Sequence, residues 1–369
     1  MGFCIYHKKA DPDLRFDKEE HVIPAGLGGI KKLEKGTVSD EANERFSKEE
    51  LVVLRDSLIG LNRMNNGPGK RGSLNVKRTR QPIMQVLRYN KAQSPLEFIL
   101  GFLFAGQSYP IPQIAIEFND FNDGTSGLTP IYISPNIDEH STDKFQLELN
   151  KELMQFLRNP KKDYKTVRVP FNTDKQFVHI GCYQGKWYTA TSLNQPIDMD
   201  ILGRLLVLSM LNQAIQRPKI EKKLIKPQIV HKPLLEYKYQ LNTDATKFYF
   251  LYLKTAFNAL ALFKGSEFVC NEIFDGIRES IINVSNTHKF INSNKDLYDP
   301  EIKTRVRSFP DKSHYVIISA KDNMVNAYVS FYGEFPGMIE LTSNYQGEEF
   351  IDGLICDWQN RKELKLENL

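Results

Sequence analysis

The spacing of apolar residues changes several times along the chain, and each change marks an element. Leu51, Val52, Leu54, Leu58 and Ile59 recur at helical spacing behind Ser47-Lys48-Glu49-Glu50. There a serine can accept from the amide three residues on while the glutamate reaches back, so a helix opening at Ser47 is expected. Phe98 to Ala105 is apolar on every side and follows Ser94-Pro95-Leu96-Glu97. Proline at a first helical position and an all-round apolar body predict a buried helix. Gln113–Phe118, Pro130–Ser134, Thr166–Phe171 and Phe177–Tyr183 read as strands, and Gln184-Gly185 as a hairpin turn into Lys186–Thr191. Phe145 to Leu157 and Asp200 to Ile215 have helical spacing. Thr243 to Phe263 predicts a helix capped by Thr243 and stopped near Gly265, and Asp275 to Ile282 continues the helical material. Tyr315–Ala320, Val325–Tyr332 and Met338–Thr342, with an Asp322-Asn323 turn, make the end β-rich.

These elements predict an α+β chain: a small domain over residues 1–62, a basic linker over 63–91, an α+β domain over 92–233, and a helical then β-rich domain over 234–369. The linker surrounds Asn65-Asn66-Gly67-Pro68-Gly69 and carries Arg63, Lys70, Arg71, Lys77, Arg78, Arg80, Arg88 and Lys91 without one acidic residue. Such a segment can neutralise phosphates, and Lys70, Arg71, Lys77, Arg78 and Arg80 are the candidate nucleic-acid contacts. Tyr89 is its only aromatic residue, so base stacking is not indicated. A solvated linker is the alternative for the same residues.

Composition adds little. The 369 residues are 41% apolar and 25% charged, with a net charge of +4, which bounds a soluble protein with a sizeable core. Cys4, Cys182, Cys270 and Cys356 lie far apart with no CxxC pair, as in a reducing compartment. No apolar run has signal-peptide or membrane-spanning length, so a cytoplasmic protein without membrane contact is expected. His179 lies in an apolar strand and reads as a core residue; Trp187 and Trp358 read as packing residues. Gly67-x-Gly69-Lys70-Arg71 lacks the spacing of a P-loop, so nucleotide hydrolysis is not supported.

The chemistry is concentrated in the first fifty residues. Cys4-Ile5-Tyr6-His7 precedes Glu20-His21-Val22-Ile23-Pro24, then Leu27-Gly28-Gly29, then Asn43. Hydrolysis of a phosphodiester needs a base for water and positive charge on the developing oxyanion. His21 can be the base, and Glu20 and Asn43 can offer oxygen to one hard divalent ion, Mg²⁺ first and Mn²⁺ as its substitute. Glu20 and His21 are adjacent, so on a strand they point to opposite faces.

This order resembles the HNH endonuclease family, in the branch marked by Glu-His-Ile-Ile-Pro and Leu-Gly-Gly. The resemblance covers about residues 1–60. It implies a ββα-metal fold with His21 as general base, Glu20 as the first metal ligand and Asn43 as the last. It also implies a zinc knuckle of two ligand pairs. Cys4 and His7 would be the remnant of the first pair, but the second falls at Ser39 and Ala42, which cannot bind zinc, so a structural zinc is not expected. The Lys254-x-x-x-Asn258-Ala259-Leu260-Ala261 helix and the β-rich end look similar, more weakly, to the region that follows the nuclease in some of these proteins.

Two functions follow from the resemblance. One is a metal-dependent endonuclease acting on DNA, with RNA as the alternative substrate. It would be a prokaryotic defence or restriction effector controlled by a partner protein, a ligand or self-assembly, a short-Argonaute-type partner being one variant. The other is a nucleic-acid-binding or assembly protein that keeps an inactive nuclease fold.

Overall fold

The computed structural model describes residues 2–68, 75, 82–89, 97–111, 113–118, 129–134, 165–171, 173, 176–192, 223–224, 228–229, 235–236, 244–292 and 299–368. It divides into two compact units, one formed by Met1–Thr79 together with Leu241–Leu369 and the other by Arg80–Gln240. The expected helices over 145–157 and 200–215 fall outside the described residues, as do Lys70, Arg71, Lys77, Arg78 and Arg80.

The first unit opens with a two-stranded hairpin, β1 (Phe3–Cys4) and β2 (Lys9–Ala10). Helix α1 (Asp40–Asp56) begins seven residues before the expected start. Its cap is Ser39, whose side chain accepts from the Ala42 amide, so Ser47 lies in mid-helix and makes no capping box. α1 stops at Ser57, which caps α2 (Leu58–Asn66). Arg63, expected in the linker, is in α2 and donates to the carbonyls of Pro68 and Leu54.

The second unit contributes β3 (Gln85–Tyr89), β4 (Phe98–Phe104), β5 (Gln107–Pro110), β6 (Gln113–Phe118), β7 (Thr129–Ser134), β8 (Lys165–Val167), β9 (Gln176–Tyr183), β10 (Lys186–Thr191), β11 (Lys223–Leu224), β12 (Gln228–Ile229) and β13 (Leu235–Glu236). They form a five-stranded sheet in the order β12-β5-β4-β3-β13 and a six-stranded sheet in the order β11-β7-β6-β9-β10-β8. Phe98–Phe104 is therefore a strand and not a helix. A short apolar run has no period to separate the two, and a strand buried on both faces reads the same way. A Cβ on Gly101 would stand 2.7 Å from the Tyr109 carbonyl oxygen, so close strand pairing fixes that glycine. Gln113 and His179 form one buried polar group. The Gln113 amide bonds Leu100 and Ile111 backbone atoms and accepts from His179 Nδ1 at 2.9 Å. Burial pushes His179 down to about 3, so it is a neutral core residue, as its apolar strand suggested.

The chain then returns to the first unit with α3 (Ala245–Val269), capped by Asp244 and interrupted at Gly265, where φ is 86°. α4 (Asp275–Asn283), β14 (Ile291–Asn292) and α5 (Pro300–Val306) follow. β15 (His314–Lys321), β16 (Met324–Phe331), β17 (Glu334–Thr342), β18 (Phe350–Asp357) and β19 (Lys362–Lys365) complete an antiparallel sheet in the order β14-β17-β16-β15-β18-β19. α3 is buried on nearly every face and packs against both α1 and this sheet.

The separate N-terminal domain expected over 1–62 is not seen. Ile5, Tyr6, Val22, Ile23, Leu27, Phe46 and Leu54 share one core with Phe250, Phe257 and Leu260 of α3 and with Val316, Val329 and Leu354 of the sheet. A segment of about sixty residues buries proportionately little of its surface and is marginal alone, and here the last third of the chain completes its core.

Candidate active site

Residues 20–33 form an irregular hairpin. His21 bridges Lys32 in antiparallel pairing, the Val22 amide donates to the Lys31 carbonyl at 3.0 Å, and the Leu33 amide to the Glu20 carbonyl at 2.9 Å. A turn over Ala25–Leu27 closes it. Gly28 has φ 93°, and a Cβ there would stand 2.7 Å from Trp358 Cβ; on Gly29 it would stand 1.9 Å from the Ile23 carbonyl oxygen. The Leu-Gly-Gly sequence is thus required twice, by backbone conformation and by close approach. The turn is tied to the sheet by Glu363, whose carboxylate accepts from the Ile30 and Lys31 amides at 2.9 and 2.5 Å.

Helix α1 follows this hairpin, and β1 lies at its start. The Phe3 and Ile5 amides donate to the Gly36 and Thr37 carbonyls, and the Ser39 amide donates to Cys4 Sγ at 3.4 Å. Cys4 is fully buried, while His7 is half-buried near Glu41 and Arg45. The implied first ligand pair therefore meets the start of α1, where Ser39 and Ala42 stand at the second pair's positions. Backbone hydrogen bonds and one thiol contact make this junction.

Adjacent residues of the Glu20-His21 pair part as strand geometry requires. Glu20 turns inward, 7% exposed, and its Oε1 pairs with the ammonium of Lys254 on α3. Glu50 of α1 pairs with the same ammonium through its own Oε1. Lys254 is 1% exposed and lies 5.9 Å from the Phe46 ring centroid. One positive charge thus faces two carboxyl groups in a largely apolar setting. Lys254 is held firmly protonated despite burial, because both carboxylates touch it. The surplus acid falls on Glu20, the more deeply buried of the two. Burial pushes it up to about 7, Lys254 pulls against that, and the Glu50 charge adds to it.

His21 turns the other way and is half-buried. Burial, then the positive charges of Lys32 and Lys254, push it down to about 4, so it is a free base at neutral pH. One turn beyond Lys254 on the same face of α3, Asn258 is fully buried. Its Nδ2 donates to the His21 carbonyl at 3.0 Å, and its Oδ1 accepts from the Tyr6 hydroxyl at 2.6 Å. Asn43 is half-buried in the first turn of α1. Asn43, Phe46 and Glu50 are spaced to share one stripe of that helix, with Asn43 and Glu50 two turns, roughly 10 Å, apart. The structure thus gathers Glu20, His21, Glu50, Lys254, Asn258 and Tyr6, and places Asn43 on the stripe of α1 that carries Glu50.

Glu20 still has an oxygen to offer. Its Oε1 bonds Lys254, and among the described residues no hydrogen bond is made by its Oε2. The amide of Asn43 likewise has no side-chain partner among the described residues. A carboxylate oxygen and a side-chain amide oxygen are the donor types that suit a hard divalent ion that keeps most of its waters. Among the described residues no three His, Cys, Asp or Glu side chains converge as a metal cage.

No protein-family model, curated protein or solved structure matches the chain.

Sequence reasoning missed Lys254, Asn258 and Glu50 as parts of this cluster. Lys254 and Asn258, four apart within the largely apolar run 248–263 of α3, were a readable sign, because a buried lysine is almost always paired. Glu50 gave none, since it also satisfied a capping pattern. No described helix is long and apolar enough to cross a membrane.

Proposed function

We propose that this chain is a metal-dependent endonuclease of the HNH type that hydrolyses phosphodiester bonds in DNA, with His21 as general base. The observation that carries this reading is the sequence of elements around His21: a hairpin with a glycine turn, then a helix bearing Asn43, with the Cys4 hairpin seated on that helix's first turn. Glu20 through Oε2 and Asn43 through its amide oxygen would hold the ion. When bound, a divalent ion supplies charge against the scissile phosphate and the leaving oxygen.

His21 accepts the proton of the attacking water, a role its depressed basicity suits at neutral pH because the imidazole is unprotonated there. Asn258 fixes the His21 backbone, and Tyr6 fixes Asn258 in turn. The basic residues Lys70, Arg71, Lys77, Arg78 and Arg80 would hold the phosphate backbone and add little sequence preference. We assign the chain to a regulated cytoplasmic defence or restriction effector, controlled by a partner protein, a ligand or self-assembly.

A second reading, an inactive nuclease fold that binds nucleic acid or partners, is favoured by one observation: half of the Glu20 carboxylate is committed to Lys254. Plasmid nicking by wild type and His21→Ala in Mg²⁺ and in Mn²⁺ separates the two. Cleavage by wild type alone supports the nuclease; equal nicking by both proteins, or none by either, supports the second reading.

A further inference from the structure

Helix α3 lies far from the hairpin in sequence, Lys254 standing 234 residues after Glu20 and Asn258 237 residues after His21, yet its polar residues address both members of the Glu20-His21 pair. Lys254 touches the carboxylate of the first, and Asn258 touches the backbone carbonyl of the second. These two contacts are one helical turn apart on a single rigid element buried in the unit's core. A second contact ties each of them to the N-terminal segment, Lys254 to Glu50 and Asn258 to the Tyr6 hydroxyl. Neither Lys254 nor Asn258 has the exposure needed to touch a substrate.

We propose that Lys254 and Asn258 are positioning residues of the active site: Lys254 holds one oxygen of Glu20 and leaves the other for a divalent ion, and Asn258 holds the His21 backbone in register beside it. The proposal rests on the nuclease reading above. Its physical basis is that a ligating carboxylate is oriented by whatever bonds its second oxygen, and that loss of such a partner typically lowers metal affinity about 10- to 100-fold. Glu50 gives Lys254 a second anchor, so the ammonium cannot swing away with the Glu20 side chain. The two residues act on different members of the pair, and their effects are therefore separable.

The test is Mn²⁺ titration of the full chain, with free Mn²⁺ read by electron paramagnetic resonance, alongside steady-state cleavage of plasmid DNA. Wild type is expected to bind Mn²⁺, and Glu20→Gln to lose it. Lys254→Met is expected to bind Mn²⁺ at least tenfold more weakly. Asn258→Leu is expected to bind it as wild type does, while kcat falls and KM stays. Should Lys254→Met fail to fold, Lys254→Met with Glu50→Gln removes one buried carboxylate with the ammonium and carries the same expectation. A folded Lys254 variant whose Mn²⁺ affinity lies within tenfold of wild type overturns the role of Lys254, and an unchanged kcat in Asn258→Leu overturns that of Asn258. Wild type that binds no Mn²⁺ and cuts nothing refutes the nuclease reading itself, and the positioning roles fall with it.

Discussion

Replacing Lys254 by methionine keeps most of the stem's packing and removes the charge that two carboxyl groups share. The loss can be worked from the contacts. Glu20 and Glu50 each accept a hydrogen bond from the ammonium, and a hydrogen bond to a charged group contributes about 1.5–3 kcal/mol. Together that is about 3–6 kcal/mol, in line with the roughly 3–5 kcal/mol lost when one partner of a buried pair is removed. Glu50→Gln in the methionine background deletes one stranded carboxylate, so the double variant should recover about half of the loss. The loss should also shrink at pH 5 relative to pH 8, because carboxyl groups left without a cation relieve their cost by binding protons. Only two tryptophans are present, Trp187 in the second unit and Trp358 in the first. Urea unfolding in a Trp187→Phe background, followed by Trp358 fluorescence, therefore reports the first unit alone. A Lys254→Met loss below about 1 kcal/mol would refute the reasoning that this cluster joins hairpin, α1 and α3.

Glu363→Ala should destabilise the first unit by about 1–3 kcal/mol through loss of the acceptor for the Ile30 and Lys31 amides, with Glu363→Gln milder; the urea midpoint read on Trp358 checks both. His314, fully buried, accepts from the Tyr332 amide at 2.9 Å and is pushed down by burial to about 3. Below pH 6.5 the unfolded chain therefore binds a proton that the folded chain refuses. The His314 contribution should be constant above pH 6.5 and cost up to roughly 5 kcal/mol as pH drops toward 3. His314→Asn, which can keep an acceptor for Tyr332, should flatten that slope in acid titrations followed on Trp358; a slope equal to wild type would show that another group carries it. Burial and nearby Lys32 and Lys254 also keep His21 unprotonated down to about pH 4, so cleavage should show no loss attributable to this base between pH 8 and 6.

What could be read from the sequence depended on how far apart the cause and the effect lay. The β16–β17 region, the Gln184-Gly185 turn and the Gly265 break were legible because turn residues and alternation are local. The opposite directions of Glu20 and His21 and the Leu-Gly-Gly turn were legible because both follow from adjacent residues. Phe98–Phe104 was misread because an apolar run without a period fits a buried helix and a buried strand equally. The Ser47 cap was misread because Ser39 offers the same chemistry eight residues earlier at the start of the same helix. The boundary at residue 62 failed for a longer-range reason. Nothing in the first sixty residues states that Tyr6, Phe46 and Ile23 share a core with a helix about 200 residues away, although Lys254 and Asn258 in the apolar middle of that helix required polar partners from somewhere.

The measurement closest to the central claim is plasmid cleavage by purified full-length protein and its His21→Ala variant, with Mg²⁺ or Mn²⁺ and with EDTA. The account predicts nicking by wild type in either metal, none in EDTA, and none by His21→Ala. Equal nicking by wild type and His21→Ala, or wild-type cleavage that persists in EDTA, would contradict it.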